Sequence, residues 1–237
     1  TILNEQYGLV TGDGIRRIDL KSLNNVRIKN ERLLCFYNSI IYNGKVLSND
    51  TYKDESKVKY YDVNELIAAK EGEAPAVTEL DIIQKQKINF VLAKDGNVYT
   101  LESADNGCNI VKIKNDFTLE KVFANFQPAK GPYHSSPTIG MVASETENII
   151  YLVSTDGAIY KYILGDSDSL KAPFIAAESG VSITAPLQLN QQSGELYVTY
   201  TEERKDESKI VVYSKDGKVL HTVDCGESVP SQILFNN

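Results

Sequence analysis

The chain has 237 residues, 42% hydrophobic and 24% charged, which is the balance of a folded protein long enough to bury a core without disulfides or metals. Its 25 Lys and Arg against 32 Asp and Glu give a net charge of −7, which argues against nucleic acid or an anionic membrane surface as partner. No apolar run approaches the roughly 20 residues of a membrane span, so no membrane insertion is expected. The sequence begins at Thr1 with no charged and apolar leader, so any export signal would have been removed before this form. Three cysteines, Cys35, Cys108 and Cys225, exclude a disulfide framework and a four-cysteine zinc site; three free thiols are expected, with one disulfide among them the alternative.

Short strands follow one another in chain order, alternating apolar and polar residues between turn residues. The first unit offers QYGLVTG, IRRIDL and NNVRIK, one strand fewer than the units that follow. The second carries VKYYDV after the polar loop Lys53-Asp54-Glu55-Ser56. Residues 64–74 (NELIAAKEGEA) form the best helical stretch, expected as a surface turn of helix in the connection between the second and third units. The third unit reads INFVLAK, NVYTLES, NIVKIK and EKVFAN, and the fourth IGMVASE, IIYLVST, AIYKYIL and APFIAA. The fifth reads APLQLNQ, ELYVTYT, KIVVYS and KVLHTV, with the Lys205-Asp206-Glu207-Ser208 loop repeating the earlier one 152 residues on. SQILFNN, residues 231–237, remains as one leftover strand.

Equivalent strands start at Ile15, Val58, Ile110, Ile159 and Ile210, spaced 43, 52, 49 and 51 residues apart. Four strands per unit of this length, repeated, mark a β-propeller. Counting on from Ile210 through the C-terminus and round to Ile15 gives 42 residues, close to the first spacing. The expected fold is therefore all-β: a five-bladed β-propeller of four-stranded antiparallel blades, the ring closed by a composite blade from both termini. As a single domain, 1–237, its blades span 231–237 plus 1–29, then 30–80, 81–126, 127–179 and 180–230. A fragment of a larger propeller is the rival reading.

Residues 209–223 (KIVVYSKDGKVLHTV) resemble the last two strands of an NHL-type blade. Residues 98–103 (VYTLES) and 150–162 (IYLVSTDGAIYKY) resemble blades of surface-layer-type and quinoprotein-like propellers. In style the chain is similar to secreted propellers of Bacteroidetes-like bacteria. That resemblance implies an extracytoplasmic location, periplasm or cell surface, and assigns no chemistry. The chain has no Trp, so the Trp docking motif of quinoprotein blades and the Trp-Asp signature are both absent.

In a propeller, the connections between blades and those between second and third strands gather at one mouth, where ligands bind. Residues 126–137 (FQPAKGPYHSSP) form such a connection, stiffened by three prolines and presenting Tyr133, His134 and Ser135. A sugar- or peptide-binding rim, a general base at His134, and a plain structural crossover are the readings it admits. Tyr52 and Arg204 flank the two repeated charged loops and are further ligand-binding candidates, although such loops also serve solubility alone. Neither loop has the spacing of a calcium site, so no metal is expected. There is no GxSxG elbow, and the second histidine, His221, falls in an outermost strand where exposure is the ordinary outcome. Cys35 sits in an apolar stretch (LLCFY), as core packing would place it. No catalytic residues and no cofactor are assigned. The expected function is a non-enzymatic binding or scaffold propeller of the bacterial cell envelope, a monomer engaging a glycan or protein at the channel mouth. The alternative is a carbohydrate-active hydrolase or lyase using His134 with a carboxylate.

Overall fold

The computed structural model describes residues 1–12, 14–29, 39–49, 56–73, 75–84, 89–129, 140–202, 207–230 and 233–235. The chain forms two compact units, Thr1–Phe90 and Val91–Asn237. Among the described residues all sheets are antiparallel, of three to five strands, and there are five of them.

The first unit holds two sheets. In the first, β1 (Tyr7–Gly12), β2 (Gly14–Asp19) and β3 (Asn25–Lys29) pair in sequence order, matching the three strands read from the sequence. In the second, β4 (Ile40–Tyr42), β5 (Lys45–Asn49), β6 (Ser56–Asp62) and β7 (Val77–Gln84) do the same. Asn43 and Gly44, at φ 46° and 69°, make the two-residue turn between β4 and β5, whose twist matches that of the strands. The helix α1 (Val63–Ala68) differs from expectation in two respects. It joins β6 to β7 inside the second sheet rather than connecting two units, and β7 runs through position 80/81, where the third blade was expected to begin. It is also no surface turn, because Leu66 is fully buried with Leu9, Ile15, Ile28, Val46 and Tyr61. Burial of that one side chain, worth roughly 2 kcal/mol, accounts for a helix too short to persist by itself. Asp62 caps its start by accepting from the Asn64 and Glu65 N–H groups, and Arg17 donates to the carbonyls of Leu66, Ile67 and Ala69 at its end.

The second unit holds three sheets. The third consists of β8 (Val91–Leu92), β9 (Val98–Ala104), β10 (Gly107–Ile113) and β11 (Leu119–Phe126). The fourth consists of β12 (Met141–Ala143), β13 (Ile149–Val153) and β14 (Ile159–Ile163). In the fifth, β15 (Val181–Ile183) and β16 (Gln188–Leu189) both pair with β17 (Leu196–Glu202), followed by β18 (Ser208–Tyr213) and β19 (Val219–Gly226). β12 lies beside β8 on one hand and beside β16 on the other, so the first strands of successive sheets follow one another as in a propeller. The Gln191 amide fastens two of these sheets: its N–H donates to Ala143 O (3.0 Å) and its oxygen accepts from Glu145 N–H (2.8 Å).

Three expected strands differ. APFIAA contributes a single bridge, Ile175 to Ile159, because Pro173 has no N–H for a ladder. Pro186 likewise interrupts the inner edge of the fifth sheet, which two short strands share instead of one. The described part of 231–237 is not a strand: Ile233 N–H donates to Gln188 Oε1 (2.7 Å), and the Phe235 ring meets Tyr197 edge-on at 5.0 Å.

The absence of Trp is met by tyrosine. Tyr99, Tyr151 and Tyr162 are almost fully buried, Tyr99 and Tyr162 in edge contact at 6.5 Å. Tyr200 and Tyr213 satisfy each other's buried hydroxyls at 3.1 Å. Tyr99 also donates to Asp95 Oδ2 (2.8 Å), which accepts from Lys112 at 2.8 Å, while Asn97 N–H donates to Oδ1 (3.1 Å). Burial pushes the Asp95 carboxyl up, but these hydrogen bonds outweigh it and hold the group below the ordinary carboxylate range. A carboxylate lowered in the folded state contributes stability above its unfolded pKa, about 3.9, and loses it as pH falls through the folded value. Asp95→Asn should therefore lie below wild type in urea midpoint by a constant margin above about pH 5, and that margin should shrink below pH 4. An unchanged margin at pH 3 would contradict this assignment.

Cys108 and Cys225 are free thiols, and burial raises Cys108 to about 11, where it is unreactive; Cys35 lies outside the described residues.

Candidate functional site

All five ligand-binding candidates named from the sequence, Tyr133, His134, Ser135, Tyr52 and Arg204, lie outside the described residues. His221 is exposed on β19, the last strand of its sheet, as expected. What the structure does show is the start of the crossover that leads to Tyr133, and a groove at its foot.

The groove begins with a register fault in β11. Cys108 pairs with Phe126 but Ile110 pairs with Phe123, so β11 carries one residue more than β10 opposite it. Asn125 takes up the excess at φ 62°, a left-handed conformation that Asn tolerates better than other side chains except Gly. Beyond it, Gln127 donates from Nε2 to Asn106 O (2.7 Å) in the β9–β10 turn. Its carbonyl accepts from Thr155 N–H (2.9 Å) in the β13–β14 turn, and Ala129 N–H donates to Val153 O (2.9 Å). Two turns joining second to third strands are thus tied to one inter-sheet crossover, the grouping expected at a propeller mouth.

Two contiguous depressions share Phe123. The inner one, about 290 Å³, is lined by Phe123, Asn125, Phe126, Gln127, Ser154, Thr155, Asp156, Tyr160 and Leu170. The outer one, about 490 Å³, is lined by residues 121–124 of β11 and by Ser167, Asp168 and Lys171 on and beside a 3-10 turn (Ser167–Leu170). Phe126 and Tyr160 meet edge-on at 5.8 Å beneath the inner depression. Ser154 Oγ and Ala158 N–H both donate to Asp156 Oδ1, in that order the causes that hold its carboxyl below the usual range, so it is ionised at neutral pH. In the outer depression Lys121 pairs with Glu102 (3.5 Å) and Lys171 with Asp168 (2.9 Å).

Composition gave no hint of this groove. A signal was present nonetheless: the Asn-Phe-Gln run at 125–127, which puts a turn-forming residue just before the end of an outer strand and a second amide two positions on. Among the described residues no three His, Cys, Asp or Glu side chains converge as a metal site requires, and no helix is long and apolar enough to cross a membrane.

The chain is similar in fold to TolB from Acinetobacter baumannii at 9% identity and a TM-score of 0.55, covering 95% of this chain and 54% of TolB. Puromycin hydrolase is similar at 14% identity and a TM-score of 0.57, over 94% of this chain and 35% of that one. Prolyl oligopeptidase B from Galerina marginata, determined with a 35mer substrate, is similar at 12% identity and a TM-score of 0.56, over 92% and 32%. The chain therefore spans about half of TolB and about a third of each hydrolase. TolB and the propeller domain of the oligopeptidase are β-propellers, and the fold here is a β-propeller-like all-β repeat. No curated protein matches the sequence. Residues 1–236 match the model of a family described as a domain of unknown function, DUF5074, and the chain belongs to that family.

Proposed function

We propose that the chain is a non-enzymatic binding or scaffold propeller of the bacterial cell envelope, working as a monomer and engaging a glycan or a protein at one loop face. In this reading the five sheets are five blades, closed into a ring by the two ends of the chain. The likeness to a bacterial TolB supports a binding propeller and an extracytoplasmic location. The observation that carries the reading is the tie between crossover and turns: Gln127 bonds at once to Asn106 and to Thr155, beside a groove lined by aromatic rings and amides. An open, mixed-polarity surface of this kind suits recognition of a ligand, with rings for its apolar faces and amides for its polar groups.

A screen of immobilised glycans and envelope proteins tests this, with Tyr133→Ala and His134→Ala run beside wild type. Binding that both substitutions weaken is the expected result. A signal that both variants retain in full would remove the 130–139 crossover from the site, and no signal at all would remove the binding reading.

A further inference from the structure

We infer that the groove between β11 and the β13–β14 turn is a subsite for one neutral pyranose ring, held by Asp156, Asn125 and Thr155 and stacked on Phe123. The inference rests on the binding reading above and names its ligand class.

Electrostatics select the ligand's charge. Among the described residues Asp156 is the one carboxylate lining the inner depression, and no described Lys, Arg or His lines it. An anionic sugar would meet a carboxylate with no cation to offset it, a like-charge contact that costs binding. The two lysines of the outer depression do not change this, since Lys121 and Lys171 are engaged with Glu102 and Asp168.

Hydrogen-bonding capacity selects a polyol. Both donors to Asp156 reach Oδ1, and Oδ2 has no partner among the described residues. The Asn125 amide and the Thr155 hydroxyl are also without a side-chain partner among the described residues. A vicinal pair of sugar hydroxyls matches this set: one donates to the carboxylate, a charge-assisted bond, while its neighbour accepts from the amide. Phe123 is half-buried and shared by both depressions, so its ring offers an apolar face at the centre of the groove. A pyranose presents C–H groups on one face and hydroxyls at its edge, and would cover that ring while its edge meets the polar set. The left-handed Asn125 agrees with this: the bulge that strains the backbone is what places an amide, rather than a core side chain, at the rim.

Calorimetric titration of the chain with manno-, cello- and xylo-oligosaccharides, and with oligogalacturonate as the anionic probe, tests the inference. Asn125→Gly keeps the left-handed backbone, and Phe123→Ala and Asp156→Asn remove the ring and the charge; His221→Ala, on β19, is the surface control. At least one neutral series should bind, with affinity falling about tenfold or more in each groove variant and less than twofold in the control. Tighter binding of oligogalacturonate than of every neutral series would overturn the inference. So would neutral binding that the groove variants leave intact, which would keep the binding reading and move the site elsewhere. Binding confined to proteins or peptides in the screen would also keep that reading while ending this inference. No ligand in either experiment would end both.

Discussion

Gly107→Ala is expected to destabilise the second unit by about 3 kcal/mol and to lower its thermal midpoint by roughly 6–12 °C. Gly107 opens β10 at φ 116°, a region that L side chains rarely adopt. A Cβ there would meet Gln127 Nε2 and lie 2.5 Å from Phe126 O, which is backbone and cannot swing aside. The substitution therefore adds a clash to the conformational cost, and it does so where the groove is built: Gln127 would have to release Asn106. Gly96→Ala is the control. Its φ is 75°, but no atom lies within 4 Å of the Cβ position, so only the conformational cost applies, about 1 kcal/mol. Equal midpoints for the two variants would show that the close approach of Phe126 and Gln127 to Gly107 is not present in solution.

Ile159→Ala should cost 2–5 kcal/mol by denaturant unfolding, as deletion of a fully buried aliphatic side chain does. Ile159 has no exposed surface, and its backbone is fixed on both sides, by β13 and by hydrogen bonds to Phe174 and Ile175 of 2.8–3.0 Å. The surroundings can collapse little into the space left behind. Ile210 occupies the equivalent repeat position but is only half-buried, so Ile210→Ala should cost about half as much or less. If the two cost the same, the difference in burial between these two positions is wrong.

These equivalent positions also show how much of the fold the sequence carried. Ile15, Val58, Ile110 and Ile159 are aligned by the repeat of polar loop and strand, and all four are fully buried. Short apolar-rich runs between turn residues mark β2, β6, β10, β14 and β18, which could be read directly even where, as in β10, four successive residues are buried. What failed depended on backbone chemistry or on long-range contacts. Pro173 and Pro186 shortened strands whose apolar pattern looked complete. α1 was misplaced because most partners of Leu66 come from β1, β2, β3 and β5, far away in sequence. For the same reason the groove left only the faint mark of the Asn-Phe-Gln run at 125–127. Asn125 reads as an ordinary strand residue until the register of β10 against β11 shows the extra residue, and Asp156 reads as a common turn aspartate until Gln127 brings the β9–β10 and β13–β14 turns together.

The proposed binding groove lies at the end of the third and fourth sheets where residues 121–127, on and just past β11, meet residues 154–160 of the β13–β14 turn and the start of β14. Hydrogen exchange of the chain with and without a saturating oligosaccharide tests that placement most directly. Slower exchange concentrated in those two segments is the result expected. Protection confined to the turns at the opposite end of the third sheet, 93–97 and 114–118, would contradict it.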